Sequence, residues 1–228
     1  NVMYGAVEFF DACVNLNLKP LIGLTIQLPG IAVEAQEFQV VLLAKDQLGY
    51  HNLMKISTLK QTTDSLDWAK LYPLLQGLFL IFPSAGETKN LLLQGRVNQL
   101  GEMIQKLADN GVARSAVKFG IDFHDSASIN DMLTKCAADS QVSVVAMSPV
   151  QYLEAADYFS QQVLQAISSG ATITNIAAKQ KQTGNFWLYP KAEIERQYLQ
   201  GGLKAALTNI DDLVSQCNVK IQKQQPRL

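Results

Sequence analysis

One imidazole and two carboxylates lie close together at residues 122–125, which read Asp-Phe-His-Asp. Ligands of this kind can hold a divalent cation. The segment follows an apolar run that we predict to be a strand, and sites in parallel α/β folds collect just past such strands. His124 is therefore the first candidate for chemistry. The alternative, which the residue types favour, is a solvated loop in which Asp125 or Ser126 caps the next helix.

The other reactive residues give weaker indications. His51, the only other histidine, adjoins Tyr50 on a predicted helix, and we expect a surface or half-buried role for it. The sequence has no Gly-rich phosphate loop ending in Lys-Ser or Lys-Thr, no dinucleotide fingerprint and no Gly-x-Ser-x-Gly elbow. Two further sets of residues could also form sites. The carboxylates Glu8, Asp11 and Glu34 are better explained as solvent-facing charges than as an acidic site. The aromatics are better explained as core residues than as a base-stacking platform; they are Trp68, Tyr72, Trp187 and Tyr189.

Composition excludes several functional classes. The 228 residues include 19 Lys and Arg against 20 Asp and Glu, so the chain lacks the positive surplus of a stand-alone nucleic-acid binder. The apolar runs at 40–44 and 78–82 are far shorter than the roughly 18 residues that span a bilayer, so no membrane partner is expected. Three widely spaced cysteines argue against a disulfide framework and favour a cytoplasmic location. No secretory signal is visible, and without an initiator Met we expect the chain to start inside a longer gene product.

Short apolar runs alternate with amphipathic helical patterns, which predicts an α/β fold with a mainly parallel sheet. An open doubly wound sheet and an incomplete barrel both fit this rhythm. The predicted strands are 21–26, 38–44, 77–82, 116–122 and 142–147. The predicted helices are 6–15, 48–59, 96–110, 129–138, 155–168 and 203–216, with a loop around 183–185 and a frayed tail over 220–228.

Several segments in order resemble one known family. They are residues 1–10, 19–23, 40–45, 49–55, 77–78, 86–87, 91–95, 144–146, 150–153 and 217–219. The run from Val40 to Lys55, which reads VVLLAKDQLGYHNLMK, carries the most specific part of the match. Together they resemble the PHP (polymerase and histidinol phosphatase) domain family, as found in bacterial DNA polymerase III α subunits.

The resemblance implies a distorted parallel βα barrel of about seven strands, with the first strands missing from this chain. It assigns residues 1–170 to the barrel portion and 171–228 to a helical extension of the same domain that leads toward a polymerase core. The family's His-x-His and Thr-Asp-His-Gly motifs would fall before Asn1. A barrel without those strands would leave apolar inner faces uncovered.

The resemblance also implies that the family's metal site is degenerate. Thr25 stands where a ligand carboxylate is expected, Pro149 replaces an Asp and Gln151 replaces a His, which leaves only His124 matched. Several His and carboxylate ligands are needed to hold the adjacent cations of a phosphoester-cleaving site. We therefore expect no catalytic residues and no cofactor in this segment, whereas active family members use divalent metals such as zinc or manganese.

The resulting hypothesis is a non-catalytic structural or partner-docking module of a DNA-directed DNA polymerase, a nucleotidyltransferase that acts in DNA replication. Its partners would be the remainder of the polymerase chain and other replisome subunits, and DNA would be reached through the parent polymerase. One alternative is a metal-dependent phosphoesterase or 3'-5' proofreading exonuclease, which an intact upstream His-x-His would favour. The other is an unrelated α/β binding protein, which a pocket lined by polar groups at the strand ends would favour.

Overall fold

The computed structural model describes residues 3–63, 65–172, 174 and 186–221. The predicted loop at 183–185 and the tail beyond residue 221 lie outside the described residues, as do Asn1 and Val2. Five strands form one sheet: β1 (Gly23–Pro29), β2 (Glu37–Ala44), β3 (Leu78–Phe82), β4 (Val117–Ile121) and β5 (Ser143–Ala146). All five strands predicted from apolar runs are confirmed, with shifted ends.

The helices of the described residues alternate with these strands. They are α1 (Ala6–Asn15), α2 (Gln47–Thr62), α3 (Trp68–Leu71), α4 (Glu87–Leu93), α5 (Asn98–Asp109), α6 (Ala127–Asp139), α7 (Tyr158–Ser169), α8 (Lys191–Gln200) and α9 (Lys204–Gln216). The six predicted helices are all present, whereas α3, α4 and α8 were not predicted from the sequence. Gly111 and Gly170 follow helices α5 and α7 with φ of 83° and 63°, a left-handed conformation that commonly ends a helix.

The strands lie in the order β1-β2-β3-β4-β5, and four of them run in the same direction, so the sheet is mostly parallel, as predicted, with β2 as the one strand of opposite direction among the described residues. β1 pairs antiparallel with β2, and β2 antiparallel with β3, while β3, β4 and β5 pair parallel. Only residues 30–36 join β1 to β2, too few for the helical crossover that parallel strands need. The longer segment 45–77 leaves the carboxyl end of β2 and returns to the same end of the sheet to begin β3. There the Lys45 amide donates to the Gly77 carbonyl at 2.9 Å.

Apolar side chains fill both faces of the sheet. The larger core lies against α2, α5 and α6, where Leu53, Ile104 and Leu133 are fully buried. A smaller cluster on the other face joins Phe79 and Leu213, the latter from α9. The continuous apolar run of β3, LFLIF, follows from this double cover. Among the described residues, no helix is long and apolar enough to cross a membrane.

Candidate functional site

Four strands end at the same side of the sheet. β1 and β3 are both antiparallel to β2, and β4 and β5 run parallel to β3, so their carboxyl ends share one side. We call the loops that follow these strands the strand-end edge: residues 30–33, 83–86, 122–126 and 147–151. The predicted candidate segment 122–125 lies in this edge, where sites of α/β folds collect.

Asp122 and His124 form a closed pair at the strand-end edge. His124 Nδ1 lies 2.8 Å from Asp122 Oδ1, and the His124 amide donates to the same oxygen at 3.1 Å. Only 11% of the Asp122 side chain and 14% of the His124 side chain are exposed. Asp122 therefore orients the imidazole, and much of the capacity of the Asp122 carboxylate to accept hydrogen bonds is already used.

Two residues that sequence reasoning missed complete this pair. The Ser148 hydroxyl donates to Asp122 Oδ1 at 2.8 Å and lies 2.9 Å from the Tyr198 hydroxyl. Tyr198, on α8, donates to the Ile121 carbonyl at 2.8 Å. Its side chain is 1% exposed, and burial raises the pKa of this phenol well above its ordinary value. Ser148 and Tyr198 have no local signal, because 50 residues separate them.

The outer nitrogen of His124 points into an aromatic group. The imidazole lies 4.1 Å from the Phe123 ring, 5.4 Å from Phe186 and 6.2 Å from Tyr189, measured between ring centroids. His124 Nε2 is buried and has no hydrogen-bond partner among the described residues. The Trp187 ring lies 4.4 Å from Tyr189 and extends the group. These aromatics restrict access to the one imidazole nitrogen that could bind a ligand.

Asp125 has partners of its own. The Lys89 ammonium, on α4, pairs with Asp125 Oδ1, and the Ser84 hydroxyl donates to Oδ2. The Asp125 side chain is 9% exposed and the Lys89 side chain 33%. The predicted alternative role of a helix cap falls to Ser126, whose Oγ accepts from the Ile129 amide at the start of α6. Asp125 instead ties the end of β4 to α4.

Glu87 is a third carboxylate at this edge that sequence reasoning did not select. Its Oε2 accepts from the Ile31 amide at 2.9 Å, and its Oε1 accepts from the amides of Ala32 and Val33 at 2.7 and 3.0 Å. A Cβ at Gly30 would lie 2.7 Å from Glu87 Oε1, so a glycine is needed where the loop passes the carboxylate. Glu87 thus holds the loop after β1 against α4.

The three positions predicted to be substituted ligands do not join His124. Thr25 pairs with Val41 in the middle of β1, four residues before the strand ends at Pro29. Pro149 is exposed. Gln151 Oε1 accepts from Gln165 on α7 at 3.1 Å and from Gln161 at 3.4 Å. These contacts direct the Gln151 amide toward α7.

The remaining candidates are dispersed. Glu8 is exposed on α1, while Glu34 pairs with Lys106 of α5 at 3.0 Å. Trp68 donates from Nε1 to the Pro29 carbonyl at 2.8 Å, and its ring stacks on Phe82. The Tyr72 ring lies 6.0 Å from the Trp68 ring, measured between centroids. The four aromatics proposed as a possible platform therefore divide between the core and the group around His124. His51 is exposed on α2, as expected.

The donor set does not fit the metal cluster that the family resemblance implies. Within the described ranges, no group of three or more His, Cys, Asp and Glu side chains could hold a metal ion. Asp122 is engaged by His124 and Ser148, and Asp125 by an ammonium. A bound cation would have to displace these donors, and the Lys89 charge would repel it.

Comparison with known proteins agrees with the resemblance. The chain is 26% identical over 234 residues to the DNA polymerase III subunit alpha of Halalkalibacterium halodurans, a match that covers 100% of this chain and 20% of the relative. It is 27% identical over 231 residues to the Bacillus subtilis subunit, with the same coverage of both chains. The Rickettsia conorii subunit is 26% identical over 237 residues and is matched over 19% of its length.

The chain therefore spans about a fifth of the length of these curated relatives. A family model described as the PHP domain matches residues 1–126, which is more than half of the chain and includes β1 to β4 and the Asp122–His124 pair. The chain belongs to the PHP domain family.

Proposed function

We propose that this chain is the PHP segment of a replicative DNA polymerase III α subunit and serves DNA replication as a non-catalytic structural and docking module. The observation that carries the proposal is the internal use of the carboxylates at the strand-end edge. Asp122, Asp125 and Glu87 each accept hydrogen bonds from groups of the chain itself. A hydrolytic site needs such oxygens free to hold cations and to activate water.

The identity of the relatives supports the replicative context. Each of the three matched subunits is a DNA polymerase III α chain of which this segment corresponds to about a fifth. In this proposal nucleotide transfer belongs to the rest of that chain, in the cytoplasm. DNA contacts also belong there, because a net charge of −1 gives this segment little attraction for a phosphate backbone.

Helix α7 supports the docking role. Its sequence, YFSQQVLQAISS, carries no charge. Phe159, Leu164 and Ile167 are 62, 62 and 74% exposed, whereas Gln162 is 4% exposed. A helix that turns apolar side chains outward and buries an amide is typical of a protein interface. The occupant that we propose is the remainder of the polymerase chain; other replisome subunits are candidates for neighbouring surfaces.

The barrel is also part of the proposal. β1 and β5 are the outer strands of an open five-stranded sheet among the described residues. Edge strands left unpaired are ready to accept further strands. Strands contributed from outside the described residues would extend this sheet toward the distorted barrel of the family.

The test is metal content together with hydrolysis, measured on the full-length protein. After dialysis against zinc and then manganese, we expect elemental mass spectrometry to find well below one metal ion per chain. We also expect no metal-dependent release of phosphate or of 3'-nucleotides. Two or more bound ions with hydrolysis would overturn the proposal and establish the phosphoesterase or exonuclease alternative.

A further inference from the structure

The strand-end edge contains its own fixed cation. Lys89 reaches from α4 to the Asp125 carboxylate in the loop after β4, and Ser84 from the loop after β3 donates to the other carboxylate oxygen. Ser84 is 1% exposed and the Asp125 side chain 9%. Three separate elements therefore meet at one buried negative charge.

A buried carboxylate requires compensation. Removing a charge from water is unfavourable, and a nearby opposite charge with additional hydrogen bonds must offset that cost. The Ser84 hydroxyl supplies a hydrogen bond but no charge. Lys89 supplies the charge, and the partial burial of the pair reduces screening by salt.

We infer that the Lys89 ammonium is a built-in replacement for a metal ion at this edge, so that the loops after β3 and β4 stay joined to α4 without any divalent cation. The inference rests on the proposed non-catalytic function and explains how such an edge remains folded. A tethered ammonium has one fixed charge and no open coordination position, so it can neutralise a carboxylate but cannot activate water.

The test compares thermal unfolding, with and without EDTA, of the unsubstituted protein, three variants at this site and one control variant. The unsubstituted protein should melt at the same temperature in EDTA and in zinc. Lys89→Met should melt about 5 °C lower, because Asp125 keeps a buried charge without its partner. Lys89→Arg, which retains the positive charge, should recover most of this loss. The double variant Lys89→Met with Asp125→Asn should also recover most of it, because no buried charge remains.

The control is Lys70→Met, which removes the exposed partner of Asp67 and should change the melting temperature by less than about 1 °C. The inference is wrong if Lys89→Met melts like this control, if the double variant is no more stable than Lys89→Met, or if EDTA lowers the melting temperature of the unsubstituted protein. Hydrolysis measured separately distinguishes the two claims. An active enzyme with an EDTA-insensitive melting temperature would overturn the proposed function and leave the role of Lys89 standing.

Discussion

The side chains of the strand-end edge and those on the outer face of α7 differ in what they contact. At the edge, polar groups that could do chemistry bind one another: Asp122 accepts from Ser148, and Asp125 pairs with Lys89. On α7, Phe159 and Ile167 face solvent. The molecule is thus closed where catalysis would require free ligands and open where a partner could bury apolar surface. This difference favours a docking module over a hydrolase.

The largest effect should come from breaking the closed edge at its centre. Asp122→Ala removes the oxygen that accepts from His124 and Ser148, so the His124 amide and Nδ1 lose their partner and Ser148 keeps only the Tyr198 hydroxyl. We expect the free energy of unfolding to fall by about 3 kcal/mol. Urea unfolding followed by circular dichroism measures it. Asp131→Ala, at an exposed position on α6, is the control and should stay within about 0.5 kcal/mol of the unsubstituted protein. Equal losses for the two variants would show that the edge is not a stabilising network.

A smaller effect is expected at the loop after β1. Glu87→Gln replaces one acceptor oxygen by an amide that donates, so at least one of the amides of Ile31, Ala32 and Val33 loses its partner. The free energy of unfolding should fall by about 2 kcal/mol. Glu102→Gln, on the exposed side of α5, is the matched control in the same urea measurement. A Glu87→Gln protein as stable as this control would contradict the role of the carboxylate as a loop clamp.

The third effect depends on pH. Tyr198→Phe removes the hydroxyl that donates to Ile121, which should cost about 1 kcal/mol near pH 7. Burial raises the pKa of Tyr198 in the folded protein above its ordinary value of 10.0. The stability that this shift contributes is present below the unfolded pKa, and it is lost as pH rises because the unfolded chain releases its proton first.

Urea unfolding at about pH 8 and about pH 11 tests this sign. The unsubstituted protein should lose more stability over that interval than Tyr198→Phe, so the difference between the two should narrow or reverse. Tyr72 and Tyr189 also have raised pKa values through burial and remain in both proteins, so their contributions cancel in the comparison. A difference that stays constant with pH would show that the Tyr198 phenol is not held protonated by the fold.

The sequence predicts local features of this molecule better than its pairings. Residues 38–44 are a continuous apolar run, and the strand observed at Glu37–Ala44 follows from that run alone. The antiparallel direction of β1 and β2 depends on the seven-residue connection 30–36. The prediction from alternating strands and helices did not take the length of this connection into account. Asp122 and His124 could be joined because they are neighbours in sequence. Ser148, Lys89 and Tyr198 reach the edge only through the packing of β5, α4 and α8.

The smallest effect on stability should accompany the largest effect on docking. Replacing Phe159 and Ile167 together by Ser removes apolar side chains that are already mostly in water, so the free energy of unfolding should change by less than about 0.5 kcal/mol. If the remainder of the proposed polymerase chain covers α7, however, the double variant loses the contacts that protect the backbone hydrogen bonds of α7 from opening. Hydrogen exchange of residues 158–169 should then become at least about tenfold faster, whereas Ser160→Ala, an exposed polar position on the same helix, should leave it unchanged. Equal exchange in both variants would show that the remainder of the polymerase does not cover this face, and the contrast between a closed edge and an open docking face would lose its functional meaning.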